Sequence, residues 1–437
     1  MKRILKIKIF ISSFFLIFLF GNCEKTETGL TADFTFSFTD ENHVEFVNNS
    51  DGNYNSMQWD FGNGETAATL DKNETFTIYY PQAGEYNVLL TITNGDGESR
   101  KAIKSVSISK DDIVLAFTAE PDPSNSNKIN LENKTVGEYD SFKWLYRHKI
   151  IENNTKAVAY FPFSGTFSVE LEVTKGTSVF SKIETIVISK DDPDYISNLT
   201  LTWADEFDET EVNTDNWTFE TGAGGWGNNE LENYTNGENS EIIDGKLVIT
   251  AKKVNESKSP GSYTSSRMVS LDKHDFLYGR MEIRVKLPSG KGIWPAIWML
   301  GSNINTVSWP ACGEIDILEY VGYQPNIVHA TVHTPSGYGS NGNGASKSLA
   351  TCEEEFHNYG LIWTEKNIKF YIDNTDNITY TYEPASKTDE TWPFNKPHFF
   401  ILNVAVGGNW GGAQGIDNSI FPQKMEVDYV RVYQEVD

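Results

Sequence analysis

Basic residues are in short supply. The chain carries 36 Lys and Arg against 61 Asp and Glu, a formal net charge of −25. Such a surface repels phosphate backbones, which speaks against nucleic acid as a partner. It also disfavours sulfated or carboxylated polymers, whereas a neutral polymer meets no repulsion. Solubility alone is the other use of such charge. Cysteine is scarcer still, at three residues, Cys23, Cys312 and Cys352. With Cys23 used elsewhere, Cys312 and Cys352 form either one disulfide in an oxidising compartment or two buried thiols. The apolar run Ile9–Phe20 is too short to span a bilayer as a mature helix. Beyond it no sustained 3.6-residue period appears, which argues against a helical protein.

What is present begins with an export signal. Lys2, Arg3, Lys6 and Lys8 form a basic start, the apolar run follows, and it ends at Phe20-Gly21-Asn22-Cys23. The pattern resembles a bacterial lipobox, with Asn22 a departure. It implies removal of residues 1–22 and acylation of Cys23 as lipid anchor. Glu24, Lys25 and Glu27 resemble the surface-export tag of Bacteroidetes-type lipoproteins. The expected location is the outer membrane or cell surface, with the membrane touched through the anchor only.

The rest alternates at period two. Runs such as FTFSF, YNVLLTITN, FSVELEVTK and MEIRVKL are separated by Gly, Asn and Asp, which predicts all-β modules. A repeat is visible: ISKDDIV closes one segment and ISKDDPD the next. Each segment holds a tryptophan, Trp59 or Trp144, and then an aromatic-Pro, Gly, aromatic order. That order is Tyr80-Pro81, Gly84, Tyr86 in the first and Phe161-Pro162, Gly165, Phe167 in the second. Each unit has the size of a small β-sandwich, over 31–110 and 113–190. Trp59-Asp60-Phe61-Gly62-Asn63-Gly64 and Ala83-Gly84-Glu85-Tyr86 resemble a PKD domain, and the second unit is similar to a degenerate copy. Trp59 is read as core rather than as a sugar contact. After the polar linker Lys190–Asp194, a third module over 199–437 has the length of a two-sheet jelly roll.

The chemistry concentrates in SWPACGEIDILEYVG, Ser308 to Gly322. Glu314, Asp316 and Glu319 interrupt an otherwise apolar strand, and buried charges are costly unless paired or neutralised. Glu314 and Asp316 share one face of a regular strand. Glu319 would fall on the other, but one β-bulge at Ile317-Leu318 returns it to the same face. Side chains leaning together then approach the roughly 5–5.5 Å carboxyl separation of retaining glycosidases.

GEIDILEYVG resembles the signature of glycoside hydrolase family 16 in its bulged form, Glu-x-Asp-x-x-Glu. GGWGNNELENYT, IDGKLVITAKK, YTSSRM, YGRMEIRVKLPSGKGIWPAIWMLG and NVAVGGNWGG extend the resemblance to the laminarinase-type branch over the whole third module. Ser266, Gly411 and Asn233 depart from that branch and bear on fine specificity. The resemblance implies a catalytic jelly roll in which Glu314 is nucleophile, Glu319 general acid/base and Asp316 their assistant. It implies that Trp294, Trp298 and Trp309 stack against sugars and that Asn228, Glu230 and Arg267 bind glucose hydroxyls. Trp410 is a further subsite candidate, and His333 is expected on the leaving-group side. His329 and His333 read as strand residues rather than as a helical metal pair. No cofactor is expected for catalysis, and Asp428 in VDYVRVY matches a structural-calcium position in many members.

The expected activity is retaining endo-hydrolysis of β-1,3-glucan by a monomer. A mixed-linkage β-1,3-1,4-glucanase and a non-catalytic β-glucan-binding protein are the alternatives. A binder on this fold loses its acids, and this chain keeps all three.

Overall fold

The structure is a computed structural model that describes residues 29–436. The signal segment and Cys23 lie outside the described residues. Strands dominate, and the one α-helix among the described residues is the single turn Ile304–Val307. No helix there is long and apolar enough to cross a membrane. The chain divides into two compact units between Asp191 and Asp192.

The first unit holds two sandwiches with the same plan. In one, the sheet Phe34–Phe38, His43–Asn48, Thr75–Tyr79 faces the sheet Thr66–Thr69, Ser56–Asp60, Gly84–Thr93, Ser99–Ile108. In the other, Phe117–Pro121, Lys128–Asn133, Lys156–Tyr160 faces Lys149–Glu152, Ser141–Tyr146, Gly165–Lys175, Ser178–Ile188. Strand order is the same in both, so the sequence repeat is a repeat of topology. Trp59 and Trp144 sit at the centre of their cores, both essentially without exposure. Equivalent asparagines fasten each sandwich. Asn42 Nδ2 donates to the carbonyls of Tyr80 and Lys110, and Asn127 Nδ2 to those of Phe161 and Lys190.

The second unit is a jelly roll of two sheets, antiparallel except where Glu232–Tyr234 runs parallel to Tyr263–Ser265. One has ten strands, with Gln423–Gln434 and Gly279–Lys286 near its centre. The other runs Thr218–Glu220, Arg267–Val269, His398–Val406, Ile293–Gly301, Glu314–Tyr320, Ile327–His333, Asn343–Ser348. Apolar faces of both sheets close on one core that includes Ile283, Val285, Ile297, Leu402, Val427 and Val430. Alternation along each strand gives that core its inward face and leaves the seven-strand sheet an outer face for polar work. Cys312 and Cys352 are separately buried free thiols, both pushed up to about 11 by burial. The buried-thiol alternative is the one realised.

Candidate active site

The Glu314–Tyr320 strand decides which side chains reach the outer face. Ile315, Ile317, Leu318 and Tyr320 all enter the core. Two consecutive inward residues break the alternation. Against the Ile327–His333 strand, Asp316 pairs with Thr331 and Glu319 with His329, so Ile317 and Leu318 together oppose the single residue Ala330. A matching slip occurs on the other side, between Ile297 and Trp298. The expected bulge is therefore present, and it turns Glu314, Asp316 and Glu319 to one side.

Glu314 and Glu319 line a cleft of about 1180 Å³, with Asp316 buried between them. Trp226, Trp294, Trp298, Trp309 and Trp410 stand around it. Two of these indoles hold the acids directly. Trp309 Nε1 donates to Glu314 Oε2 at 2.7 Å, and Trp294 Nε1 donates to Glu319 Oε1 at 3.2 Å. His333 Nε2 lies 3.1 Å from Asp316 Oδ2 and 3.7 Å from Glu314 Oε1. Gly342 lets His333 stand there, since a Cβ on Gly342 would meet the imidazole at 2.6 Å.

Three acids in such a space hold their protons tightly. Burial and the charge of Asp316 push Glu314 up to about 8. Burial and Glu314 push Glu319 up to about 7. Asp316 is raised as well, by burial and then by Glu319. The hydrogen bonds from Trp309 and Trp294 and the charge of a protonated His333 work in the opposite direction on the two glutamates. The site can thus hold one carboxylate and one carboxylic acid side by side near neutral pH, which is what acid-assisted attack at a sugar carbon requires.

Among the described residues, Glu314, Asp316 and His333 also form a group that could hold a metal ion, with ligand atoms within 4.8 Å of one another. Trp309 already donates to one of those oxygens, and His333 Nε2 stands 3.1 Å from Asp316 Oδ2, which accepts no hydrogen bond. Asp428 lies apart on the other sheet, its Oδ2 accepting from Arg284 Nε at 2.9 Å. Arg284 engages Oδ2 alone, and Oδ1 is the atom that would ligate a calcium there.

Comparison with known proteins agrees with this arrangement. The family model for glycosyl hydrolases family 16 matches residues 227–431, and the PKD domain model matches residues 23–106. A β-glucanase from Rhodothermus marinus is 41% identical over 263 residues, covering 57% of this chain and 91% of that protein. The chain belongs to glycosyl hydrolase family 16. A glucan endo-1,3-β-glucosidase A1 from Niallia circulans is 38% identical over 264 residues, which span 55% of this chain and 38% of that protein. The solved laminarinase of Flavobacterium sp. UMI-01 is 48% identical with a TM-score of 0.51, over 54% of this chain and 100% of that one.

Within this family-16 cleft the residues singled out from sequence divide. Asn228, Trp294, Trp298, Trp309, His333 and Trp410 line it together with Glu314 and Glu319. Glu230 and Arg267 do not. Glu230 is buried, accepting from Asn228 Nδ2 at 3.1 Å and from the Tyr234 hydroxyl at 3.2 Å. The Arg267 guanidinium sits between the rings of Trp226 and Trp298, 5.0 and 4.8 Å from their centroids, and its Nε donates to Glu220. Both polar groups have partners inside the protein. His333 stands across from Glu314, whereas His329 stands across from Glu319. His329 itself packs on Trp410 at 4.9 Å.

Trp226 and His329 were not legible as lining residues. The signal for Trp226 was its place between Gly225 and Gly227, where it takes a left-handed backbone (φ 46°) that turns the ring toward the cleft.

Proposed function

We propose that this chain is a retaining endo-β-1,3-glucanase acting on laminarin-type β-glucan, with Glu314 as nucleophile and Glu319 as general acid/base. The single observation that carries the mechanism is the bulge, which sets both glutamates on one face with a separate indole donor on each. In the first step Glu314 attacks the anomeric carbon while Glu319 gives its proton to the departing glycosidic oxygen. The bond to the leaving sugar breaks, and a glycosyl ester forms on Glu314. In the second step Glu319, now ionised, takes a proton from water, whose oxygen displaces Glu314 and restores the original configuration.

In the free cleft burial raises both glutamates, so the pair shares its proton near neutral pH. Bound sugar sorts the proton between them. A glycosidic oxygen at Glu319 accepts from its acid form, and positive charge developing at the anomeric carbon favours the Glu314 carboxylate. Asp316, between them and beside His333, holds Glu314 in place. The tryptophans supply flat apolar surfaces for the C–H faces of glucose rings. These steps use protein groups and water alone.

Surface tethering through acylated Cys23, and action as a monomer, belong to the same proposal. Tethering is supported by the export pattern of residues 1–23 and the charged residues after it. Product analysis on laminarin, lichenan and agarose tests the substrate. Oligosaccharides are expected from laminarin, released first as the β-anomer. Cleavage of agarose alone would contradict the reading.

A further inference from the structure

Glu230 and Glu232 flank Leu231 behind the cleft wall. Both carboxyls are buried, Glu232 without any exposure. They lie within hydrogen-bonding reach of each other. Two ionised carboxylates cannot share such a space, so one of them carries a proton. The donors nearby say which. Asn228 Nδ2 and the Tyr234 hydroxyl both give to Glu230, at 3.1 and 3.2 Å. Glu232 receives the Val406 N–H on Oε2 at 2.7 Å, while its Oε1 is buried with no donor. A proton on that oxygen removes the deficit and supplies a donor toward Glu230.

We propose that Glu232 is a positioning residue, a neutral carboxyl that donates to Glu230 and through it fixes two cleft residues. One branch is direct, since Glu230 holds Asn228. The other runs through a relay. The Tyr234 hydroxyl donates to Glu230, Asn403 Nδ2 donates to that hydroxyl at 3.1 Å, and Trp298 Nε1 donates to Asn403 Oδ1 at 2.8 Å. Val406, held by Glu232, precedes the Gly407–Trp410 turn, and Gly407 pairs with Glu230. One buried proton thereby sets Asn228, Trp298 and the start of the Trp410 turn.

The groups that face it are few. On its own segment they are Glu230 and Tyr234. The His398–Val406 strand offers Asn403 and the Val406 amide, neither of which titrates. Arg267, on the neighbouring strand, acts on the cluster through Tyr234. Burial and the charge of Glu230 both hold the proton on Glu232. Loss of the proton at alkaline pH puts a second negative charge beside Glu230 and loosens both branches.

The inference rests on the cleft being a glucan site. The test is steady-state kinetics on soluble β-1,3-glucan across pH for wild type, Glu232→Gln and Glu232→Leu. Infrared difference spectra between wild type and Glu232→Gln accompany it. Glutamine reproduces the neutral form, with an amide N–H toward Glu230 and a carbonyl for Val406. Its KM should stay within about twofold of wild type at neutral pH and should not rise at alkaline pH, where the wild-type KM does. Leucine offers neither contact, and its KM should rise about tenfold with a smaller change in kcat. The wild-type spectrum should show a protonated carboxyl band that the Gln variant lacks. A Gln variant as impaired as the Leu variant, or no such band, would overturn the proposal. If the Leu variant does not fold, the Gln profile and the band decide. An inactive wild type sinks the glucanase reading, and the band still decides the proton.

Discussion

Trp294 donates its indole N–H to Glu319 while standing edge to face against Trp410 at 5.5 Å. One side chain therefore serves both as a wall for sugar and as a donor to the proposed acid. The two duties are separable. Trp294→Phe keeps a flat ring but removes the donor that favours ionised Glu319. The acid should then hold its proton to higher pH, and the alkaline limb of kcat/KM should move upward with a loss in rate. A pH–rate profile on laminarin checks this, and a limb that stays in place would show the hydrogen bond to be without consequence.

The raised carboxyls carry a stability cost with a definite sign. Glu314 ionises near 4.5 in an unfolded chain and at about 8 in the fold. The folded state therefore holds an extra proton between those values. The stabilisation is complete below about 4.5 and is lost as pH rises through 8. Melting temperature should fall from pH 5 to pH 8 in wild type. Glu314→Gln removes the titrating group and should be more stable at pH 8 by roughly 2–4 kcal/mol, several degrees in Tm. Calorimetry across this range checks it. Parallel curves for the two proteins would mean that Glu314 ionises normally.

The anchor is tested by fractionation. Wild type is expected in the membrane fraction, and Cys23→Ala in the soluble fraction. A variant that stays fully with the membrane would remove the lipoprotein reading.

The acids were readable because their neighbours broke a rule. Ile317 and Leu318 are adjacent and both apolar, so a strand containing them must either bury one acid's side or bulge. The sandwiches were readable from alternation and from the repeated aromatic-Pro-Gly order. What stayed hidden is partner choice among polar residues. Nothing local in GNNELENYT says that Glu230 turns inward to Tyr234 while Asn228 turns outward. Nothing in YTSSRM says that Arg267 inserts between Trp226 and Trp298, because both rings come from distant segments. The facing of His329 to Glu319 and of His333 to Glu314 has the same origin. It is set by cross-strand register, which the bulge itself shifts.

The central claim is that Glu314 and Glu319 perform different steps at one carbon, and the anomeric configuration of azide adducts tests it most directly. Glu314→Ala and Glu319→Ala should both lose activity on laminarin, by at least about 10²–10⁴-fold for loss of the acid alone. With an activated aryl glucoside, Glu319→Ala should still form the ester on Glu314. Azide should then attack from the opposite face and give a β-glycosyl azide. Azide added to Glu314→Ala should replace the nucleophile and give the α-configured product instead. NMR of the two adducts reads the outcome. The account predicts β from the Glu319 variant and α from the Glu314 variant. The reverse assignment, near-native rates in both variants, or inverted products from wild type would contradict it.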